Sequence, residues 1–164
     1  MTKRILTQEQ LKTQLHYDLA TGIFTRLIRA RVANIGDVAG SLSGRYLSIR
    51  LLGERYQAHR LAWLYVTGSM PKEHIDHING NKLDNRFCNL REATSAQNSM
   101  NMGKNSANTS GIKGVTFHTK QNKWRASCRV NGKRFYLGNF ETKELATFAY
   151  QSFAKSNHGD FYHE

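Results

Sequence analysis

The sequence predicts an α+β chain: a β-rich unit at the N-terminus, a central segment built on a helix and a tight turn, and a C-terminal three-stranded antiparallel sheet covered by one helix. Three observations carry this. Trp124, Ala126, Cys128 and Val130 alternate with Lys123, Arg125, Ser127 and Arg129, and Asn131-Gly132 follows as a two-residue hairpin turn. The apolar run from His59 to Thr67 is closed by Gly68 and by the only proline, Pro71, as a buried helix would be. Tyr46, Ser48 and Arg50 alternate with Leu47, Ile49 and Leu51, the period of a half-buried strand.

Taken in order, Thr7-Gln8-Glu9-Gln10 reads as a capping box opening a helix through about His16. Tyr17 to Ile28 reads as a hairpin turning at Thr21-Gly22, and a second hairpin turns at Gly53-Glu54. Residues 1–57 form this basic β-rich unit, decorated by Arg26, Arg29, Arg31, Arg45, Arg50 and Arg55. Residues 58–104 form the second segment, with Asn79-Gly80-Asn81 as turn chemistry and a short helix from about Thr94 to Met100. The small polar stretch that follows is a linker, placed at 105–110. Residues 111–164 form the third segment. Its return strand turns Phe135 and Leu137 inward, and a helix from near Thr142 offers Leu145, Ala146, Ala149, Tyr150 and Phe153 to the sheet.

The charge balance selects a partner. Among 164 residues, 24 are Lys or Arg against 12 Asp or Glu, a net charge of +12. Such a chain suits a polyanion, because phosphate-bound Lys and Arg release condensed counterions. No basic amphipathic helix marks a membrane surface, and no apolar run approaches the roughly 20 residues that span a bilayer. The N-terminus lacks the apolar core of a secretory signal, so a cytoplasmic location is expected. Cys88 and Cys128 stand far apart and form no Cys-x-x-Cys pair. They are expected to be reduced, partly buried thiols rather than zinc ligands. Residues 111–138 carry seven Lys or Arg and no acid, so the outer sheet face is expected to meet DNA as a β-ribbon in the major groove.

The string from Asp76-His77 through Asn79-Gly80-Asn81, Asp84-Asn85 and Asn89-Leu90 to Asn98 carries the chemistry. Phosphodiester hydrolysis needs a hard cation, a base for water and a positioned backbone. Asp76 supplies a carboxylate, Asn98 an amide oxygen, and His77 is the natural base. Arg60 either braces a phosphate or, with His59, caps the apolar helix. Lys82, Arg86 and Arg91 are candidate phosphate contacts, and His74 is expected to be a solvent-exposed strand residue.

Over residues 57–101 this string resembles HNH homing endonucleases of phages and introns. The resemblance implies a ββα-metal core, with Asp76 and Asn98 as ligands of one Mg²⁺ or Mn²⁺ per site and His77 as general base. Asn89 would be the middle asparagine, whose side chain pins the loop through backbone groups. Asn98 stands where the name-giving last histidine would be, which weakens a zinc reading. The third segment resembles the plant ethylene-response-factor (APETALA-two) DNA-binding domain, through Gly111, Gly114-Val115, Trp124, Ala126, Gly132, Leu137-Gly138, Phe140, Thr142, Glu144, Ala146 and Ala149-Tyr150. By position, Lys113, Thr116, His118, Lys123, Arg125, Ser127, Arg129, Arg134 and Tyr136 would face DNA. Thr116 and His118 replace arginines of the plant domain, so its target sequence does not transfer.

The expectation is a metal-dependent, site-favouring DNA endonuclease acting on double-stranded DNA as a monomer or homodimer. It needs no small-molecule cofactor beyond the metal and no membrane, and a phage origin is expected. The rival is a DNA-binding regulator with an inactive HNH fold. An RNA-binding accessory role is disfavoured by the lack of a run of exposed stacking aromatics.

Overall fold

Thr7 opens the first helix as its sequence requires: its hydroxyl accepts from the Gln10 amide, and the Gln10 side chain accepts from the Thr7 amide. The computed structural model describes residues 6–104 and 108–162 and divides the chain into two compact units, Met1–Glu92 and Ala93–Glu164. Helix α1 (Gln8–Gln14) stops short of His16 because Leu15 is already extended and enters β1 (Leu15–Tyr17), which pairs antiparallel with β2 (Phe24–Arg26). Leu11, Leu15 and Phe24 are fully buried, each stabilising the unit by about 2 kcal/mol.

The second sheet runs β3 (Ser41–Ser43), β4 (Tyr46–Leu51), β5 (Glu54–Gln57), all antiparallel. Its hairpin turns at Leu52-Gly53, with φ of 50° and 86°, one residue earlier than the expected Gly53-Glu54. A leucine in the left-handed region costs about 1–2 kcal/mol. The alternative is worse: a one-residue slip would carry Tyr56 off the core face. Helix α2 (Ala58–Thr67) begins directly after β5 and buries Ala58, Leu61, Ala62 and Leu64 in one core with Ile49 and Leu51. Strands β6 (His74–His77) and β7 (Leu90–Ala93) pair as a two-stranded sheet, and the loop between them ends in a 3₁₀ turn at Phe87–Asn89. The β1–β2 turn is packed hard against this loop. A Cβ on Gly22 would lie 2.4 Å from the Arg86 amide nitrogen, so only glycine fits there.

In the second unit, Thr94 and Gln97 form a capping box on α3 (Ser95–Asn101). Strands β8 (Val115–His118), β9 (Lys123–Val130) and β10 (Lys133–Phe140) form the expected antiparallel sheet with β9 central, and α4 (Lys143–His158) covers it. The inner face buries Val115, Ala126 and Cys128 against Ala146, Tyr150 and Ala154. The buried stripe of α4 follows a spacing of four and ends at His158. Leu145 falls off that stripe and is 53% exposed rather than covering the sheet. Small residues on the stripe allow close approach, and a Cβ on Gly114 would sit 2.3 Å from the Tyr150 ring.

Of the linker, residues 105–107 lie outside the described residues. Asn108 and Ser110 are bonded into the second unit, donating to the carbonyls of Ile112 and Val115. Both cysteines are free; Cys128 is buried, but Cys88 is exposed, against expectation. In the 3₁₀ turn, its neighbours Phe87 and Asn89 take the inward positions. No helix among the described residues is long and apolar enough to cross a membrane.

Candidate active site

Strand β6 ends in the cluster that the motif pointed to. Asp76 and His77 are consecutive and both 4% exposed. Burying a lone carboxylate would be prohibitive. Here Arg91, on the paired strand β7, donates to Asp76 Oδ2 from Nε (2.9 Å), and a terminal nitrogen forms an ion pair with the same oxygen at 2.8 Å. Arg91 is therefore a half-buried partner of Asp76 rather than the solvent-facing phosphate contact expected of it.

His77 sits among rings. His59 of α2 meets it edge-on at 5.0 Å, and Tyr46 of β4 lies 6.1 Å from it and 5.1 Å from His59. The Lys82 ammonium stands 5.0 Å over the Tyr46 ring. Asn85 is buried and uses its amide nitrogen on the Leu83 carbonyl, so its oxygen is the acceptor toward His77 Nε2 at 3.4 Å. That contact places the proton on Nε2 and the lone pair on Nδ1. Burial pushes the His77 pKa below its ordinary value, opposed by the Asn85 hydrogen bond and the Asp76 charge. His59 is pushed down to about 3, chiefly by burial, then by His77 and Arg60. Its Nδ1 is buried with no hydrogen-bond partner. Both imidazoles are neutral at neutral pH.

The loop that holds this cluster is braced by asparagines. Asn89 Oδ1 accepts from the Asn79 amide (3.0 Å), and its nitrogen donates to the Asp84 carbonyl (2.8 Å). Asn79 and Asn81 each accept an amide two residues on. Arg86 forks onto Asp84 at 2.8 and 2.6 Å, holding the Asp84 carboxyl down at about 2. It thereby braces the loop instead of standing ready for phosphate. Arg60 neither caps α2 nor faces solvent as a phosphate brace. Its terminal nitrogens donate to the carbonyls of Glu73 and Pro71, stapling α2 to the segment before β6. His59 does not cap the helix either; Gln57 is the N-cap, without a side-chain bond. His74 is exposed.

Among the described residues no three His, Cys, Asp or Glu cluster in a way that could hold a metal ion. The two expected ligands fall in different units: the Asp76 carboxylate is buried in the first, and the Asn98 amide is half-buried on α3 of the second. Carboxylate and amide oxygens are by type donors for a hard divalent cation rather than for zinc.

In the second unit, the register aligns Thr116 with Arg125, His118 with Lys123, Ser127 with Tyr136 and Arg129 with Arg134, so these eight residues share the outer sheet face. Arg134 donates to the Ser127 hydroxyl at 2.9 Å, Arg125 lies 5.7 Å over the Tyr136 ring, and Lys123 pairs with Glu141 at 2.9 Å. A bulge between Tyr136 and Gly138 brings Asn139 opposite Arg125, where their side chains bond at 3.2 Å. Lys113 departs from the group. Its ammonium turns inward to the carbonyls of Ser99 and Met100 at the end of α3, and burial lowers its pKa.

Tyr46 and Asn85 were missed. Asn85 stood in the motif, unassigned. Tyr46 carried no signal beyond strand alternation, because 31 residues separate it from His77.

The chain thus joins two known modules: an HNH endonuclease domain matches residues 56–100 and an AP2 domain matches residues 110–160. It belongs to the family of Protein 3.8 of Escherichia phage T7, with which it is 34% identical over 104 residues, 63% of this chain and 85% of that protein. It is also similar to an HNH endonuclease of Acanthamoeba polyphaga mimivirus, at 35% identity over 109 residues, 65% of this chain and 56% of that protein. No solved structure matches the chain.

Proposed function

We propose that the chain is a metal-dependent DNA endonuclease of the homing type, favouring particular sites in double-stranded DNA inside a host cell. The observation that carries this is the buried neutral His77, with its lone pair on Nδ1 and a buried carboxylate beside it in sequence. His77 Nδ1 takes the proton of the attacking water as general base. Asp76 and Asn98 would be the residues to hold a Mg²⁺ or Mn²⁺, which when bound would polarise the scissile phosphate and stabilise the leaving oxygen. The succession β6, β7, α3 is the strand–strand–helix order that a ββα-metal core needs. Asn89 keeps the loop closed, and Tyr46, His59 and Asn85 hold the His77 ring. Lys82 adds positive charge at the rim. For duplex DNA the reading uses the outer face of β8–β10: Arg125, Ser127, Arg129, Arg134 and Tyr136, with Thr116 and His118 on the edge strand β8 and Lys123 at the start of β9.

The test uses the full chain with supercoiled plasmid and Mg²⁺ or Mn²⁺, EDTA being the control. His77→Ala is expected to abolish cleavage while duplex affinity stays within a few-fold of wild type. Duplex binding by the wild type with no divalent-dependent cleavage would replace this reading with that of a DNA-binding regulator.

A further inference from the structure

The first unit has a basic surface that lies before both matched modules, apart from Tyr56 and Gln57. The β4–β5 register sets Arg50 directly opposite Arg55. Directly opposed residues share a sheet face, and like charges there repel and destabilise the pair. No carboxylate among the described residues pairs with either guanidinium; Arg55 makes only a long 3.4 Å contact to the Ser43 hydroxyl. An opposed cation pair of this kind lacks its anion.

The rest of the face points to which anion. The same register places Ser48 opposite Gln57 and Ser41, and Tyr46 opposite Ser43. Tyr46, Ser48 and Arg50 therefore lie in one row, while Leu47, Ile49 and Leu51 face away; Ser48 itself is buried, and the exposed donors beside it are Ser41 and Gln57 on the two neighbouring strands. From Arg50 to Tyr46 is four residues, about 13 Å of strand. At the Tyr46 end stand Lys82 and His77. The row begins at two unpaired guanidiniums and ends at the proposed base.

We infer that this face of β3, β4 and β5 is a track for the sugar–phosphate backbone of the DNA being cut, with Arg50 and Arg55 each meeting one of two neighbouring phosphates on the strand that reaches His77. Two opposed guanidinium forks suit phosphate oxygens, and hydroxyl and amide donors are ordinary backbone contacts. The inference takes its endpoint from the nuclease reading, but the contact itself needs no cleavage.

The test compares Arg50→Gln/Arg55→Gln with Arg29→Gln/Arg31→Gln in the full chain. Both remove two charges from exposed positions of the same unit. Duplex binding is measured without divalent metal between about 50 and 200 mM salt, together with a hydroxyl-radical footprint. Losing two phosphate contacts lowers the slope of log affinity against log salt by about 1.8. The affinity loss is then about tenfold larger at the low-salt end than at the high-salt end. The track predicts this change, and one lost stretch of footprint, for the Arg50/Arg55 pair only. Its thermal midpoint should be unchanged or raised, since a repulsion is removed. If that variant fails to fold, Arg50→Gln alone reads half the slope change. Equal losses in both pairs would reduce the effect to bulk charge, and no loss in either would leave the face to an acidic protein; each overturns the inference. A wild type that binds and footprints as described but never cuts would remove the nuclease reading and leave the track standing.

Discussion

Acidification should unfold the first unit through His59, and the size of the effect follows from its burial. An exposed histidine titrates at 6.5, while His59 is pushed down to about 3. A base whose folded pKa is depressed favours the neutral native state. Its contribution is complete above 6.5 and is lost as pH falls toward 3, because the unfolded chain takes the proton first. Each pH unit in that window costs about 1.4 kcal/mol, so dropping from 6.5 to 4.5 costs about 2.7 kcal/mol. That is a large part of a typical domain stability of about 5–15 kcal/mol. The groups facing His59 reinforce the effect: His77 is also depressed by burial, Arg60 is cationic, and Tyr46 brings no negative charge. The Asp84 carboxyl, held at about 2, loses its contribution only below 3.8, outside the range from pH 7.0 to 4.5 used below. The assay is urea unfolding of the full chain at pH 7.0, 5.5 and 4.5, followed by Trp63 fluorescence in a Trp124→Phe background. His59→Phe should flatten the dependence by about one proton's worth. An unchanged midpoint from pH 6.5 to 4.5, or equal slopes in both proteins, would refute the reasoning.

Other perturbations separate structural from functional roles. Arg91→Met should destabilise the chain by about 3–5 kcal/mol, because it strips a buried carboxylate of its guanidinium, and adding Asp76→Leu should recover most of that loss; urea unfolding in chelator reads both. Lys113→Ala should lower the thermal midpoint by removing charge-assisted bonds to α3, yet leave the salt slope of DNA binding as it was. Arg129→Ala with Arg134→Ala should do the reverse, lowering that slope by about 1.8 with little change in stability. A fragment of residues 93–164 should melt higher than one of residues 111–164, since only the longer one keeps the helix that Lys113 caps; both should bind duplex DNA more weakly as salt rises.

Local signals in the sequence were legible where the physics was local. The capping box at Thr7, the helix ended by Gly68, the Asn131-Gly132 hairpin and the loop asparagines all depend on neighbours within a few residues. Long side chains were the common failure. Arg60, Arg86, Arg91 and Lys113 look alike as a count of charges, and only the fold tells which reach carbonyls or carboxylates. The turn at Leu52-Gly53 was misplaced because turn chemistry favours Gly53 leading, whereas core register fixed the turn one residue earlier. Leu145 was drawn into the core by its type, although packing through Ala146 and Ala154 rotates it outward. Tyr46 beside His77 is a contact across the sheet that no spacing encodes.

The glycine at the β1–β2 turn separates two boundaries usually taken as one. Gly22 lies against the backbone of Asn85 and Arg86, and the Tyr17 hydroxyl donates to the Asn85 carbonyl at 2.7 Å. Asn85 in turn contacts His77. The stretch that matches the HNH endonuclease model begins only at residue 56. The inherited cassette and the cooperative folding unit therefore start at different places. A gene exchange at residue 56 would move the HNH motif without the buttress that sets its histidine. A new host for the motif would have to supply another small-residue turn at the same spot, so shuffling of this cassette is constrained by steric fit well outside its own borders.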